Sequence, residues 1–214
     1  AYEGGYYPTA NPLKYDANHK TALHGAKFQW GYPNNKSRMT DAVTDLHPIN
    51  NGTLHDTFGK DPLKERDSYK NESWNDIGTP CPEGYELPTR KDLSKLAEYN
   101  FTGIDLYYAK DNGGNYNFKA GYLLDKEKGN LYLPASGQRD WRNDDIHWHG
   151  LRVYLWSSDT ATDAYDSHLY PGKYAYSLKI GDDVNRRNEK ERKVTGFTKN
   201  GYYMPIRCVK KYNN

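Results

Sequence analysis

Beyond residue 120 the chain alternates short apolar runs with polar turns, the pattern of an antiparallel β protein. Strands are predicted at A-G-Y-L-L (120–124) and L-Y-L-P-A-S-G (131–137), joined as a hairpin by D-K-E-K-G-N, in which Gly129 can take a positive φ. Four more are predicted at V-Y-L-W-S-S (153–158), Y-A-Y-S-L-K-I (174–180), K-V-T-G-F-T (193–198) and Y-Y-M-P-I-R-C-V (202–209). The charged run from Asp182 to Lys193 alternates in sign and reads as a solvated loop. One segment has helical spacing. Over 89–99, Leu93, Leu96 and Ala97 form an apolar stripe, Thr89 is placed to cap it, and Asp92 occupies the capping-box position three residues on. Toward the N-terminus, K-F-Q-W-G (27–31) predicts one short strand, whereas residues 1–24 lack periodicity and read as an extended arm or linker before a single domain over 25–214. The polar stretch that continues to Pro80 suits loops that wrap a core or carry function.

Composition changes this picture in one respect. A hydrophobic share of 36% alone would point toward disorder, but 14% aromatic content, with 21 Tyr and 5 Trp, supplies both a core and recognition surface. Charge changes it little. With 30 basic and 28 acidic residues the net charge is +2, which gives no electrostatic footprint for nucleic acid. No apolar stretch approaches the length of a membrane span, and an exported form is expected to have lost its leader.

The chain has two cysteines, Cys81 in C-P-E-G-Y-E-L-P-T and Cys208 in Y-Y-M-P-I-R-C-V-K-K. Neither lies in a C-x-x-C motif and nothing nearby supplies the remaining ligands of a metal site. They read as one clasp between the C-terminal strand and the start of the helix, with two unlinked buried thiols as the alternative. A clasp suggests an oxidising compartment. It would close a loop of about 130 residues and contribute about 4 to 5 kcal/mol in the chain-entropy account.

Five phrases in order, F-Q-W-G (28–31), C-P-E-G-Y-E-L-P-T (81–89), L-P-A-S-G-Q-R (133–139), L-W-S-S (155–158) and I-R-C-V-K (206–210), resemble the Fibrobacter succinogenes major paralogous domain family, over roughly residues 25–211. That family occurs in surface and secreted proteins of gut Bacteroidetes. The resemblance implies an α+β, C-type-lectin-like fold: a helix after the first cysteine, a twisted antiparallel sheet with few helices and long loops, and a Cys81–Cys208 disulfide pinning the final strand. It also implies that Trp156 is core while Ser157 and Ser158 leave the buried strand. One departure stands out. Where the family usually ends on G-F-S-V-R-C-V, this chain has Pro205, a residue expected on an edge strand or at a bulge.

Calcium-dependent lectin chemistry needs several hard oxygen ligands. W-N-D occurs at 74–76, but it precedes Cys81, and Tyr32-Pro33-Asn34 lacks the acid of the partner motif. No cofactor is therefore expected. His147-Trp148-His149, after Asp144 and Asp145, could offer alternate side chains to a metal, but without a third placed ligand it reads as an exposed aromatic loop. Catalysis is not expected: the formylglycine-generating oxidases, distant relatives in fold, need reactive cysteines, and Asp182 and Asp183 as strand neighbours would face opposite ways.

The expected function is non-catalytic recognition or adhesion at the cell surface, on the outer membrane or a pilus tip. The ligand is expected to be a glycan or protein of a host or neighbouring cell, with pilus subunits or further domains of the same polypeptide as structural partners. The expected binding face comprises Trp141, Arg142, Asn143, His147, Trp148 and His149, joined by Tyr165, His168, Tyr170 and Tyr174, because aromatic anchors carry most binding energy and polar neighbours orient the ligand. A receptor-binding protein diversified by a retroelement is the alternative, suggested by the Tyr, Asn, Asp and Ser richness of 141–203 ahead of R-C-V.

Overall fold

The structure, a computed structural model, describes residues 27–31, 39–40, 73–77, 81–107, 120–124, 131–140, 146–163, 172–182, 190–198 and 202–211. In chain order the elements begin with β1 (Lys27–Gln29), β2 (Met39–Thr40), α1 (Trp74–Ile77), β3 (Tyr85–Glu86), α2 (Arg90–Ala97), β4 (Phe101–Ile104) and β5 (Gly121–Leu124). They continue with β6 (Tyr132–Pro134), β7 (Gln138–Asp140), β8 (Ile146–His147), β9 (Val153–Thr160), β10 (Tyr174–Asp182), β11 (Lys190–Thr198), β12 (Tyr202–Pro205) and β13 (Val209–Lys210). Antiparallel strands dominate and helices are few, an α+β architecture with one disulfide.

The organising element is β9, whose first six residues, Val153 to Ser158, are all buried. A strand with one solvated face alternates in burial, so continuous burial means that both faces are covered. Alternate side chains of β9 feed two cores. Val153 and Leu155 join Leu178 and Ile180 of β10, Leu93 of α2 and the β4–β5–β6 sheet. Tyr154 and Trp156 join Trp30, Trp74, Leu87, Ala175 and Met204 on the other side. The sheet β11–β10–β9 is thus a middle layer between α2 with its hairpin and the five-stranded sheet β2–β1–β12–β7–β8.

Two indoles lock that stack together. Trp30 Nε1 donates to the Ser157 carbonyl at 2.8 Å, and Trp156 Nε1 donates to the Phe28 carbonyl at 2.9 Å. Each donor satisfies a backbone acceptor on the opposite element, so F-Q-W-G and L-W-S-S form one reciprocal contact. Trp156 is fully buried, but Ser157 and Ser158 do not leave the buried strand as expected; both have no exposed surface. The reason is an irregularity in β9, where the register to β10 jumps from Trp156↔Ser177 to Thr160↔Ala175. Freed from β10, the intervening groups bond elsewhere: the Ser158 amide donates to the Pro88 carbonyl (2.9 Å) and the Asp159 amide to Ser157 Oγ (2.9 Å).

The capping box over α2 is present. Thr89 Oγ1 accepts from the Asp92 amide (3.2 Å) while the Thr89 amide donates to Asp92 Oδ2 (2.9 Å). Asp159 adds a tertiary cap by accepting from the Arg90 amide at 2.6 Å, a favourable place for a carboxylate at a helix N-terminus. The Arg90 guanidinium in turn reaches Tyr176 Oη (2.6 Å) and Asp163 (2.8 Å).

Three expectations are corrected. The run from Asp182 to Lys193 is no simple loop, because β10 extends to Asp182 and β11 starts at Lys190, directly opposite it. Arg192 and Lys193 are both exposed while their backbone pairs, so this part of β11 is open to solvent on both of its faces. Pro205 lies on an interior strand, not an edge: β12 sits between β1 and β7. It is tolerated as the last residue of β12, where it faces Lys27 of β1 while β7 pairs only with Tyr202 and Tyr203. The 202–209 strand is therefore interrupted, and its end becomes β13, which pairs with β3 through Val209↔Glu86 and Lys210↔Tyr85.

The cysteines are joined, with Cys81–Cys208 spanning a sequence separation of 127. W-N-D forms α1: Trp74 is buried against Trp30 (centroids 5.7 Å apart), and Asn75 exchanges two 3.0 Å hydrogen bonds with the backbone of Leu87. Asn75 is thereby committed to holding the chain ahead of α2. No helix among the described residues is long and apolar enough to cross a membrane.

Candidate functional site

Among the described residues, aromatic and polar side chains gather around the turn after β8. Gln138 of β7 stands directly opposite His147 of β8, and the chain then folds back tightly over 148–152. The Trp148 carbonyl accepts from the Leu151 amide (3.1 Å) and the Arg152 amide (3.0 Å). The turn is stitched to the preceding segment by Gly150 N donating to Ala135 O (2.7 Å) and Gly137 N donating to Arg152 O (3.0 Å). Gly137 is required here twice over. Its φ is +64°, and a Cβ would overlap the His147 carbonyl oxygen and lie 2.8 Å from the His149 amide nitrogen.

Trp148 itself has φ 63°, a left-handed conformation that costs a residue with a side chain about 1 to 2 kcal/mol. What holds it is Arg152, whose Cζ lies 3.9 Å from the indole centroid. A cation–π contact between partly desolvated groups contributes about 1 to 2 kcal/mol, enough to offset the backbone cost. Arg152 is 5% exposed, and its Nη1 lies 3.5 Å from Tyr154 Oη, at the outer limit of a hydrogen bond. From Tyr154 an aromatic row continues edge-to-face to Phe197 (5.7 Å) and from Phe197 to Tyr202 (5.5 Å). Trp148, Phe197 and Tyr202 are half-buried, so each keeps some surface while resting on the second core. The arrangement can present rigid, aromatic, hydrogen-bonding surface to a ligand at low entropic cost.

Of the residues expected on the binding face, His147, Trp148, His149 and Tyr174 lie within the described residues, whereas Trp141, Arg142, Asn143, Tyr165, His168 and Tyr170 lie outside them. The 147–149 segment is not an exposed loop. His147 belongs to β8, Trp148 is half-buried, and His149 is only 2% exposed. His149 therefore lies in the interior, where the turn after β8 closes on Gly137. Tyr174, half-buried at the start of β10, faces Thr198 and lies 5.7 Å from the Lys173 ammonium.

Sequence reasoning missed Arg152, Tyr154, Phe197, Tyr202 and Gln138. A signal existed for the first: an arginine directly ahead of the continuous apolar run V-Y-L-W must either turn outward or find an aromatic partner. Gln138 Oε1 and His147 Nε2 are buried and make no hydrogen bond within the protein. Left so, each costs about 1 to 3 kcal/mol. No group of three or more His, Cys, Asp or Glu among the described residues is placed to hold a metal ion. No family model, curated protein or solved structure matches the chain.

Proposed function

We propose that this chain is an exported, non-catalytic recognition module on a C-type-lectin-like fold, related to the Fibrobacter succinogenes major paralogous domain family. In this reading it acts at the cell surface, as an adhesin of the outer membrane or a pilus tip, and binds a glycan or protein ligand of a host or neighbouring cell. The observation that carries the reading is Trp148. A half-buried tryptophan held in a left-handed conformation by a buried arginine and a stitched turn is a rigid, partly exposed aromatic anchor, and such backbone conformations gather at ligand clamps. The aromatic row through Tyr154, Phe197 and Tyr202 extends the anchor. The fold reading draws support from a helix following Cys81, antiparallel sheets, and a terminal strand clasped back toward that helix. With both cysteines in that clasp, cysteine-based oxidase chemistry has no thiol to use.

The test is a glycan-array screen of the oxidised domain, with and without chelator, on wild type, Trp148→Ala and Trp148→Gly. Specific signals that vanish in both variants and survive chelation support a metal-independent glycan-binding face. Binding that is unchanged in both variants sinks the assignment of Trp148. A blank wild-type array directs the search to protein receptors by pull-down from host surfaces. Folding is scored in parallel: Trp148→Gly should be more stable than Trp148→Ala by about 1 kcal/mol, because glycine adopts the left-handed conformation without strain.

A further inference from the structure

We propose that Gln138 and His147 enclose a site for a single neutral hydroxyl group, that of a held water molecule or of a polyol. The two residues are directly opposed on β7 and β8, so their side chains leave the same face of the sheet. Gln138 is 6% exposed, and both Gln138 Oε1 and His147 Nε2 are buried without a hydrogen bond to any protein atom. Buried polar groups in folded proteins find partners, and where protein supplies none a small polar guest does.

The chemistry of the two atoms selects the guest. Oε1 accepts only, and Nε2 of a neutral imidazole carries a proton in one tautomer. Opposed strand neighbours could bond directly, yet these do not; with the proton on Nε2, a group that joins them accepts from Nε2–H and donates to Oε1. A hydroxyl oxygen does both. A carboxylate has no proton for Oε1, and an ammonium has no lone pair for Nε2–H. Gly137, next to Gln138, lacks the side chain that would strike the His147 carbonyl oxygen and the His149 amide nitrogen, so the turn after β8 closes onto β7 beside the pair. His147 is half-buried as a residue while its Nε2 is covered, which places the site just beneath the surface. The site rests on these two atoms and is independent of the ligand reading for Trp148.

The experiment is a long-range proton–nitrogen correlation of the His147 imidazole in the whole, oxidised chain, combined with water-selective cross-relaxation, before and after adding glycerol or methyl β-galactoside. The expected result without polyol is a slowly exchanging Nε2–H with cross-relaxation to a long-lived water. If the cross-peak persists unchanged on titration, the hydroxyl is a retained water. If it disappears with a saturable shift of the ring protons, the polyol hydroxyl has taken its place. A wild-type spectrum with neither long-lived water nor polyol response overturns the proposal and needs no variant. Gln138→Met should remove the water cross-peak while the near-ultraviolet signature of the buried tryptophans is retained, and a cross-peak that survives it would equally refute the site.

Discussion

Removing the clasp should destabilise the domain as a whole, and the structure gives the size of the effect. Cys81→Ser with Cys208→Ser opens a loop of 127 residues, for which the entropy of the unfolded chain predicts a loss of about 4 to 5 kcal/mol. In a domain of this size each kcal/mol shifts Tm by roughly 2 to 4 °C, so the expected fall is on the order of 10 to 20 °C. A second, local mechanism competes. β13 has two residues and, among the described residues, pairs only with the two of β3, too little to persist without a covalent tie. If the clasp merely pins this corner, its loss would free the Lys211 amide from the Gly84 carbonyl, a 3.0 Å bond, and leave Tm nearly unchanged. Scanning calorimetry of wild type and double variant, alongside hydrogen exchange at the Lys211 amide, separates the two. A Tm change below about 3 °C with fast exchange at Lys211 would refute the entropic account.

Gly137→Ala should destabilise by more than about 3 kcal/mol, combining backbone strain with steric overlap, whereas Gly84→Ala, with φ +80° and open space around it, should cost only about 1 kcal/mol; urea denaturation of both variants checks the contrast. Trp30→Phe and Trp156→Phe each remove one indole donor to a backbone carbonyl, at a cost of about 1 to 3 kcal/mol each; a double-mutant cycle should show coupling above about 0.5 kcal/mol, and strict additivity would mean that the two bonds act independently. Burial, and secondarily Asp105, raises the Tyr132 phenol well above its ordinary 10.0. The unfolded phenol therefore loses its proton first, so this group's contribution is intact below pH 10.0 and falls by about 1.4 kcal/mol per pH unit above it; Tyr132→Phe should remove that slope from stability measured against pH.

What the sequence revealed was whatever repeats often enough to make a pattern. The α2 stripe with its capping box and the long strands β9 and β10 were legible because propensity, periodicity and burial agree over eight or nine residues. The two-residue strands β3, β8 and β13 carry no pattern and exist because longer elements bring them together. Ser157 and Ser158 looked like an exit from the core, since a hydroxyl reads as polar until tertiary partners for the irregular backbone are known. The site was half legible. The aromatic and polar mixture pointed to 147–149, but the inward His149, the left-handed Trp148 and its Arg152 clamp depend on Gly137, ten or more residues away in sequence.

Where Trp148 falls within the ring closed by the disulfide has a mechanical consequence. It lies 67 residues after Cys81 (148 − 81) and 60 before Cys208 (208 − 148), close to the midpoint of that covalent circle. Tension applied at Trp148 and resisted on the N-terminal side of Cys81 reaches the anchor by two backbone routes of nearly equal length, one back through β8 and β7 and the other through β9 to β12 and across the disulfide. The load divides between them before either is drawn taut, and a cut in one route still leaves the grip tethered by the other.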